Sequence, residues 1–279
     1  MSDAVDLNGS VGEVIREAAS LLDVAWARID AELLMAHALG CSRSAMLLHH
    51  MGDPVPDAFA PLFARRLAYE PVAYITGSAE FYGLELKVTP AVLIPRGDSE
   101  TLIDAAQDHF APGEPPQRIL DLGTGSGALL LAALAQWPQA KGWGIDASAP
   151  ALAVAQANAA RLALADRAAF RIGDWAQEVE GPFDLLLINP PYIGVDEPLS
   201  GDVLREPANA LFAGADGLDD YRRIAPDLPR LIAPGGMAAI EIGHRQGDSV
   251  GALVAAQGLS VAIRHDLAGL DRCVIATRT

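Results

Sequence analysis

The chain has 279 residues, 51% of them hydrophobic and 20% charged, which is enough to bury a sizeable core and excludes a disordered chain. Lys and Arg number 20 against 36 Asp and Glu, a formal net charge of −16 to which both halves of the sequence contribute. Neither half is a basic platform for a phosphate backbone, so the charge balance disfavours a nucleic-acid clamp and favours a neutral or protein substrate.

The opening Met1-Ser2-Asp3-Ala4-Val5-Asp6 has neither the positive nor the apolar region of a secretory signal. The longest apolar run, Ala128 to Ala135, falls far short of the roughly 20 residues that span a bilayer. Cys41 and Cys273 lie near opposite ends, and the six histidines show no ligand spacing, so no metal is expected. These features predict a cytoplasmic protein with no membrane partner.

Residues 1–75 read as a small all-helical domain. Val11, Val14, Ile15, Ala18, Leu21 and Leu22 fall on one helical face, and further stripes run through Ile29-Leu33-Leu34-Ala38, Met46-Leu47 and Phe59-Leu62-Phe63-Leu67. Residues 76–98 change to β-branched and aromatic texture broken by Gly77, Gly83 and Pro90, which predicts a β-hairpin connector. Residues 99–279 open with a helix from Ser99 to Phe110, Ser99 being placed as its N-cap. After the breakers Ala111 to Pro116, short apolar strands alternate with amphipathic segments, the pattern of an α/β doubly wound parallel sheet.

Seven strands are expected: Arg118–Asp121, Gly142–Asp146, Ala169–Ile172, Phe183–Asn189, Met237–Ile242, Val261–His265 and Cys273–Thr277. Helices are expected over Ala128–Trp137, Ala149–Leu162, Leu218–Leu231 and Gln246–Gln257. The last two strands have no room for a helix between them and should pair antiparallel.

The run Asp121-Leu122-Gly123-Thr124-Gly125-Ser126-Gly127 sits where the first strand turns into its helix. It reads either as a nucleotide-type loop or as a tight turn that needs glycine for packing. It is not a P-loop, because no Gly-Lys-Ser/Thr follows, and its G-x-G-x-G spacing differs from the dinucleotide fingerprint. Asp146 ends the next strand about 20 residues on, where a carboxylate can accept from both hydroxyls of a ribose. Asp174-Trp175 follows the third strand and offers an acceptor for an exocyclic amine beside a flat ring for an adenine; helix or turn capping is the other reading of both aspartates.

The sharpest signal is Asn189-Pro190-Pro191-Tyr192 at the carboxyl end of the fourth strand. An amide nitrogen is a poor nucleophile, its lone pair being delocalised into the carbonyl. A site that methylates it must hold both N–H groups in acceptors and aim the nitrogen at the methyl group. The Asn189 side-chain oxygen and the Pro190 carbonyl suit those two acceptors, consecutive prolines fix the backbone direction, and Tyr192 can lie against a planar carboxamide. Glu241-Ile242-Gly243 ends another strand near the same crevice, as crevice lining or as ordinary strand-to-helix geometry.

Through the glycine loop, Asp146, Asp174 and the Asn-Pro-Pro-Tyr tetrapeptide, the chain resembles the S-adenosylmethionine-dependent methyltransferases. More narrowly it is similar to the release-factor glutamine methyltransferases of the PrmC/HemK family. That likeness extends through Asp30-Ala31-Glu32-Leu33-Leu34, Glu70-Pro71-Val72-Ala73-Tyr74-Ile75-Thr76-Gly77, Phe81-Tyr82-Gly83, Val92-Leu93-Ile94-Pro95-Arg96, Arg205-Glu206-Pro207 and Asp216-Gly217-Leu218-Asp219. The family pattern has a proline after Pro95-Arg96, where this chain has Gly97, and that change loosens the connector.

The resemblance implies a Rossmann-like methyltransferase domain and methyl transfer from S-adenosyl-L-methionine, leaving S-adenosyl-L-homocysteine, to the glutamine of the Gly-Gly-Gln loop of peptide-chain release factors. It implies that Gly123, Thr124, Gly125, Ser126 and Gly127 flank the methionine part of the cofactor with backbone N–H groups open to its carboxylate. Asp146 would hold the ribose, with Asp174 and Trp175 at the adenine. Asn189, Pro190, Pro191 and Tyr192 would form the glutamine pocket, Asn189 also facing the methyl donor. Leu93 and Arg96 are candidates for substrate contact, a surface or inter-domain ion pair being the other reading of Arg96. A monomer is expected, with release factors as protein partners and no nucleic-acid partner. A ribosomal-protein glutamine methyltransferase and a DNA or RNA amino-methyltransferase share the pocket logic; a nicotinamide oxidoreductase leaves the tetrapeptide unexplained.

Overall fold

The computed structural model describes residues 9–111 and 113–278; the opening Met1 to Asp6 segment and the breaker Pro112 lie outside them. The chain divides into two compact units, the first holding the helical N-terminal part together with Ser200–Arg205, the second Ala79–Leu199 and Glu206–Thr279.

In the first unit, α1 (Val11–Leu21) starts at Ser10, whose backbone N–H donates to the Glu13 carboxylate at 2.8 Å, a reciprocal arrangement that satisfies an otherwise orphaned helix-end donor. Helices α2 (Ala27–Leu39), α3 (Arg43–His49), α4 (Phe59–Leu67) and α5 (Val72–Thr76) follow. Val11, Val14, Ile15 and Ala18 pack with Ala31, Leu34, Met35, Met46, Phe59 and Phe63. The α2 stripe differs from expectation: Ile29 and Leu33 are 37% exposed, while Ala31, Leu34 and Met35 are buried. Four consecutive apolar residues, Leu33 to Ala36, leave the inward face undetermined by periodicity, and packing against α1 selects it. Two buried charges organise the unit. Glu32 is held by Arg28 and Arg43, and Arg66 reaches Asp30 at 2.7 Å and Asp202 at 3.4 Å.

The second unit opens with the hairpin of β1 (Ser78–Phe81) and β2 (Leu84–Lys87). Its two-residue turn places both Tyr82 and Gly83 at positive φ, as a tight hairpin with the strand twist requires. A 3₁₀ turn over Gly97–Ser99 then leads into α6 (Glu100–Phe110). Ser99 stands at the N-cap position of that helix as expected, but its side chain makes no capping bond.

The remaining elements are β3 (Arg118–Leu122), α7 (Ala128–Gln136), β4 (Lys141–Asp146), α8 (Ala149–Arg161), β5 (Ala168–Ile172), β6 (Phe183–Ile188), α9 (Asp219–Ile224), α10 (Leu228–Leu231), β7 (Ile232–Glu241), α11 (Gly247–Ala255), β8 (Ser260–His265) and β9 (Asp271–Thr277). The seven-stranded sheet has the order β5-β4-β3-β6-β7-β9-β8, with β9 antiparallel to both β7 and β8 and the other pairs parallel. This is the expected doubly wound α/β sheet.

Alternating residues of the central strands feed two cores, the mark of a sheet covered on both sides. Ile119, Leu185, Leu187 and Met237 face α6 and α7; Leu120, Leu122, Leu186, Ile188 and Ile240 face α9, α10 and α11. Two expected elements differ. The helix from Leu218 to Leu231 is broken into α9, a 3₁₀ turn over Ala225–Asp227 and α10, because Pro226 and Pro229 cannot supply the interior N–H donors of a continuous helix. The strand expected from Met237 starts at Ile232 and carries an irregularity against β6, where a side chain on Gly236 would lie 2.6 Å from the Asp184 carbonyl.

No helix among the described residues is long and apolar enough to cross a membrane. Because Arg66 is nearly solvent-free, Arg66→Ala strands two partner carboxylates, and we expect it to destabilise the helical unit by about 3 kcal/mol, read by urea denaturation with far-UV circular dichroism.

Candidate active site

The chain leaves β3, runs outward through β4 and β5, and returns to β6 on the other side of β3, so the strand order reverses between β3 and β6. Parallel pairing of Leu122 with Ile188 sets the loop beginning at Gly123 beside Asn189. A crevice at such a reversal is where open α/β sheets bind ligands. Here it is a cavity of about 260 Å³ bounded by the loops after β3, β4, β5 and β6.

Ten of the expected site residues line it: Leu93, Gly123, Thr124, Gly125, Ser126, Asp146, Asp174, Trp175, Asn189 and Pro191. Four do not. Gly127, at φ +82, starts α7 and sits where a Cβ would press on Leu131 and Ala155 at 3.2 and 3.3 Å, so its glycine serves helix packing. Pro190 and Tyr192 lie behind the cavity wall; the Tyr192 carbonyl accepts from Gln246 Nε2 at 3.1 Å, and burial together with Glu241 pushes the phenol up to about 12. Arg96 is turned away as well, its guanidinium paired with buried Glu206, whose other carboxylate oxygen accepts from the Ile94 N–H at 2.9 Å. This ion pair lies inside the second unit, and it fixes the segment that carries Leu93.

The glycine loop is built by its own hydrogen bonds. Gly123 and Thr124 N–H both donate to the Ile145 carbonyl at 2.9 and 3.0 Å, Gly125 N–H to Asp146 Oδ2 at 2.8 Å, and Gly127 N–H to the Thr124 carbonyl at 2.7 Å. The expectation that the whole loop offers N–H groups to an anion is therefore corrected, because four of these donors are spent on the turn. The donors left are Ser126 and the first turn of α7, where Ala128 and Leu129 line the cavity and helix N–H groups lack intrahelical partners.

Asp146 accepts from Gly125 N–H and, through Oδ1, from Ser148 N–H at 2.8 Å. Each carboxylate oxygen keeps a lone pair for a further donor. Trp175, at φ +50, is pinned by donation from Nε1 to Asp220 Oδ1 at 2.9 Å. Its ring closes over Gly123, where a Cβ would come within 3.0 Å of the indole. Asp174 shares its carboxylate with Arg223 at 2.6 Å on the exposed rim.

Sequence reasoning missed the groups that hold these residues. Asn158 donates from Nδ2 to the Ser126 carbonyl at 2.9 Å and to the Lys87 carbonyl at 3.0 Å, tying the loop to β2. Gln246 spans Gly243 and Tyr192, and Glu206 spans Ile94 and Arg96. Sequence pattern does not reveal these roles, since each residue reaches a backbone group more than 30 positions away. Ser99, placed as a helix cap, instead accepts from Asn189 Nδ2 at 3.3 Å.

The fold and the cavity define an α/β methyltransferase. Residues 13–77 match the PrmC N-terminal domain and residues 99–212 the methyltransferase small domain. The release factor glutamine methyltransferase of Moorella thermoacetica is 40% identical over 98% of both chains. Those of Rhodospirillum rubrum and Cereibacter sphaeroides are 45% and 44% identical, over 90% and 88% of this chain and 79% and 90% of theirs. Among solved structures, the hMettl16 catalytic domain has TM-score 0.56 at 13% identity, covering 80% of this chain and 83% of its own, a likeness of fold. The chain belongs to the release factor glutamine methyltransferase family and is a methyltransferase enzyme.

Asp121, 1% exposed beneath the loop, accepts from Thr124 Oγ1 at 2.6 Å and leaves Oδ1 without a partner; burial pushes its carboxyl up to about 7. The unfolded chain ionises this group near 4 while the folded chain keeps the proton until about 7, so its contribution to stability falls as pH rises across that window. Asp121→Asn, which does not titrate, should gain stability relative to the parent between pH 4 and pH 8, checked by urea unfolding at both ends.

Proposed function

We propose that this site moves a methyl group from S-adenosyl-L-methionine to the side-chain amide nitrogen of the glutamine in the Gly-Gly-Gln loop of peptide-chain release factors. The observation that carries the reading is the Asn189 carboxamide at the β3–β6 crevice, its nitrogen engaged by Ser99 and its oxygen left as the acceptor toward the cavity. The names borne by the relatives, at 40–45% identity over most of the chain, support the target.

The residues present suit the cofactor. Gly123 lets the Trp175 ring pack against the loop without a side chain between them, and the cavity beside them is flanked by a carboxylate at Asp146 and a flat ring at Trp175. When bound, S-adenosyl-L-methionine supplies an electrophilic methyl on a sulfonium sulfur. Asp146 accepts from the ribose hydroxyls, Trp175 covers the adenine face with Asp174 at its rim, and the Ser126 and α7 N–H groups meet the carboxylate.

Asn189 Oδ1 accepts an N–H group of the target carboxamide, which orients its nitrogen and stabilises the positive charge that grows there during transfer, and buried Pro190 fixes the backbone direction behind it. Pro191 and Tyr192 hold that backbone, and Leu93 walls the pocket. No strong base is needed, because the nitrogen sheds its proton once methylated. Arg96 acts through Glu206 on the position of Leu93 rather than by touching substrate.

With labelled S-adenosyl-L-methionine we expect a release factor to be labelled and its Gln-to-Ala loop variant not; equal labelling of both rejects the target. Asn189→Ala should lower turnover by about 10²-fold with the fold intact, measured by single-turnover transfer beside a thermal melt. Turnover near that of the parent removes the acceptor role.

A further inference from the structure

The mechanism above covers the adenine with the Trp175 ring, and the backbone that carries this ring is strained. A φ of +50 puts a bulky residue in the left-handed region, which costs free energy and persists only where the surroundings impose it. The imposing contacts lie at opposite ends of the indole. At the benzene edge, Cζ3 and Cη2 lie over Gly123, where a Cβ would come within 3.0 and 3.3 Å of them. At the pyrrole edge, Nε1–H donates at 2.9 Å to Asp220 Oδ1 on α9, 45 positions further along the chain.

An indole has one hydrogen-bond donor and no acceptor, so this single bond decides how the ring is turned about its side-chain torsions. Contact with a glycine does not decide it, because a ring pivoting on its benzene edge keeps that contact. The acceptor is a carboxylate, which makes the bond charge-assisted and stronger than a neutral one. The Asp220 side chain is 15% exposed, whereas in the neighbouring Arg223–Asp174 pair both side chains are nearly half exposed. Ion pairs on so exposed a rim contribute little. Arg223 also reaches Asp220 Oδ1, at 3.3 Å, and so supports the carboxylate that the indole uses.

We propose that Asp220 is a positioning residue for the cofactor: by taking the Trp175 Nε1–H it fixes the indole face on which the adenine stacks, and so sets the affinity for S-adenosyl-L-methionine. The proposal rests on the reading given above, in which the cavity holds that cofactor with its adenine at Trp175. Asp220 also lines the cavity, so direct acceptance of the adenine amine is the competing route. Only the route through Trp175 vanishes when the indole N–H is removed, and a double-mutant cycle reads that difference. The adenine end is remote from the reacting atoms. A loosened ring therefore removes binding shared by the ground state and the transition state, which raises KM for the cofactor and leaves kcat in place.

The test measures by calorimetry the dissociation constants of S-adenosyl-L-homocysteine and of methylthioadenosine, which has the adenine but no carboxylate. The proteins are the parent, Asp220→Ala, Asp220→Asn, Trp175→Phe, which keeps an aromatic face but lacks the N–H, and the Asp220→Ala/Trp175→Phe pair. KM and kcat for methyl transfer are measured beside them. We expect Asp220→Ala and Trp175→Phe each to weaken both ligands about tenfold, and the pair to lose no more than the worse single. Asp220→Asn, whose amide oxygen still accepts, should stay within about threefold of the parent. In Asp220→Ala the KM for S-adenosyl-L-methionine should rise by the same factor as the dissociation constants, with kcat within about twofold. Parent-like affinity in either single variant, losses that multiply in the pair, or a loss confined to kcat overturns the proposal. If the parent binds both ligands but transfers no methyl to a release factor, the target reading falls and the expected pattern of dissociation constants still upholds the proposal. If it binds neither, the cofactor reading falls and the proposal with it. Should Asp220→Ala fail to fold, Asp220→Leu, whose branched side chain fills the same place without accepting, is held to the same criteria.

Discussion

The site depends on one pairing: β3 against β6, parallel, with Leu122 opposite Ile188. Parallel strands end together, so the residues that follow them are delivered to the same edge of the sheet. Gly123 and Asn189, 66 positions apart in the chain, become neighbours for that reason alone, and the 3.8 Å between a Cβ built on Gly123 and the Asn189 carbonyl leaves little freedom between them. Both strands are buried on both faces, so a slip of one residue would exchange the two cores and is strongly opposed. The precision of the crevice is inherited from the packing of the sheet.

Around that edge, backbone is held by side chains from elsewhere. Asp146 receives the Gly125 N–H, Asn158 grips the Ser126 carbonyl, Glu206 fixes Ile94, and Gln246 grips the Tyr192 carbonyl. Asn158 and Glu206 are buried, and each has a partner, as buried polar atoms require. Two exceptions in the second unit are informative. Asp121 and Glu241 keep an unpartnered oxygen apiece, both lie at strand ends beneath the crevice, and both hold their protons to unusually high pH. Perturbed carboxyls of this kind gather at functional sites more often than elsewhere.

The helical unit follows a different logic. Its core is apolar, with Phe59 and Phe63 stacked at 5.6 Å, but its fold is pinned by Glu32 and Arg66, whose partners come from α2, α3 and the Ser200–Arg205 segment. That segment interrupts the passage from β6 to α9 and belongs to the helical unit by its contacts. Breaking such a pair by removing one partner is costly because it leaves a buried charge uncompensated.

By itself the sequence determined the alternation of strands and helices, because apolar runs four to six residues long between amphipathic segments have one low-energy way to bury both faces. It determined the contents of the strand ends too, Gly123 to Gly127, Asp146, Asp174-Trp175 and Asn189 to Tyr192, since each is contiguous with its strand. Tertiary structure decided the rest. Whether the Ser99 side chain caps a helix or meets Asn189, whether Arg96 faces the cavity or Glu206, whether the Gly125 N–H stays free, and which face of α2 turns inward all hinge on atoms 11 or more positions away. Local pattern is blind to such partners, because hydrogen-bond and packing energies depend on distance in space, and only the folded chain fixes that distance.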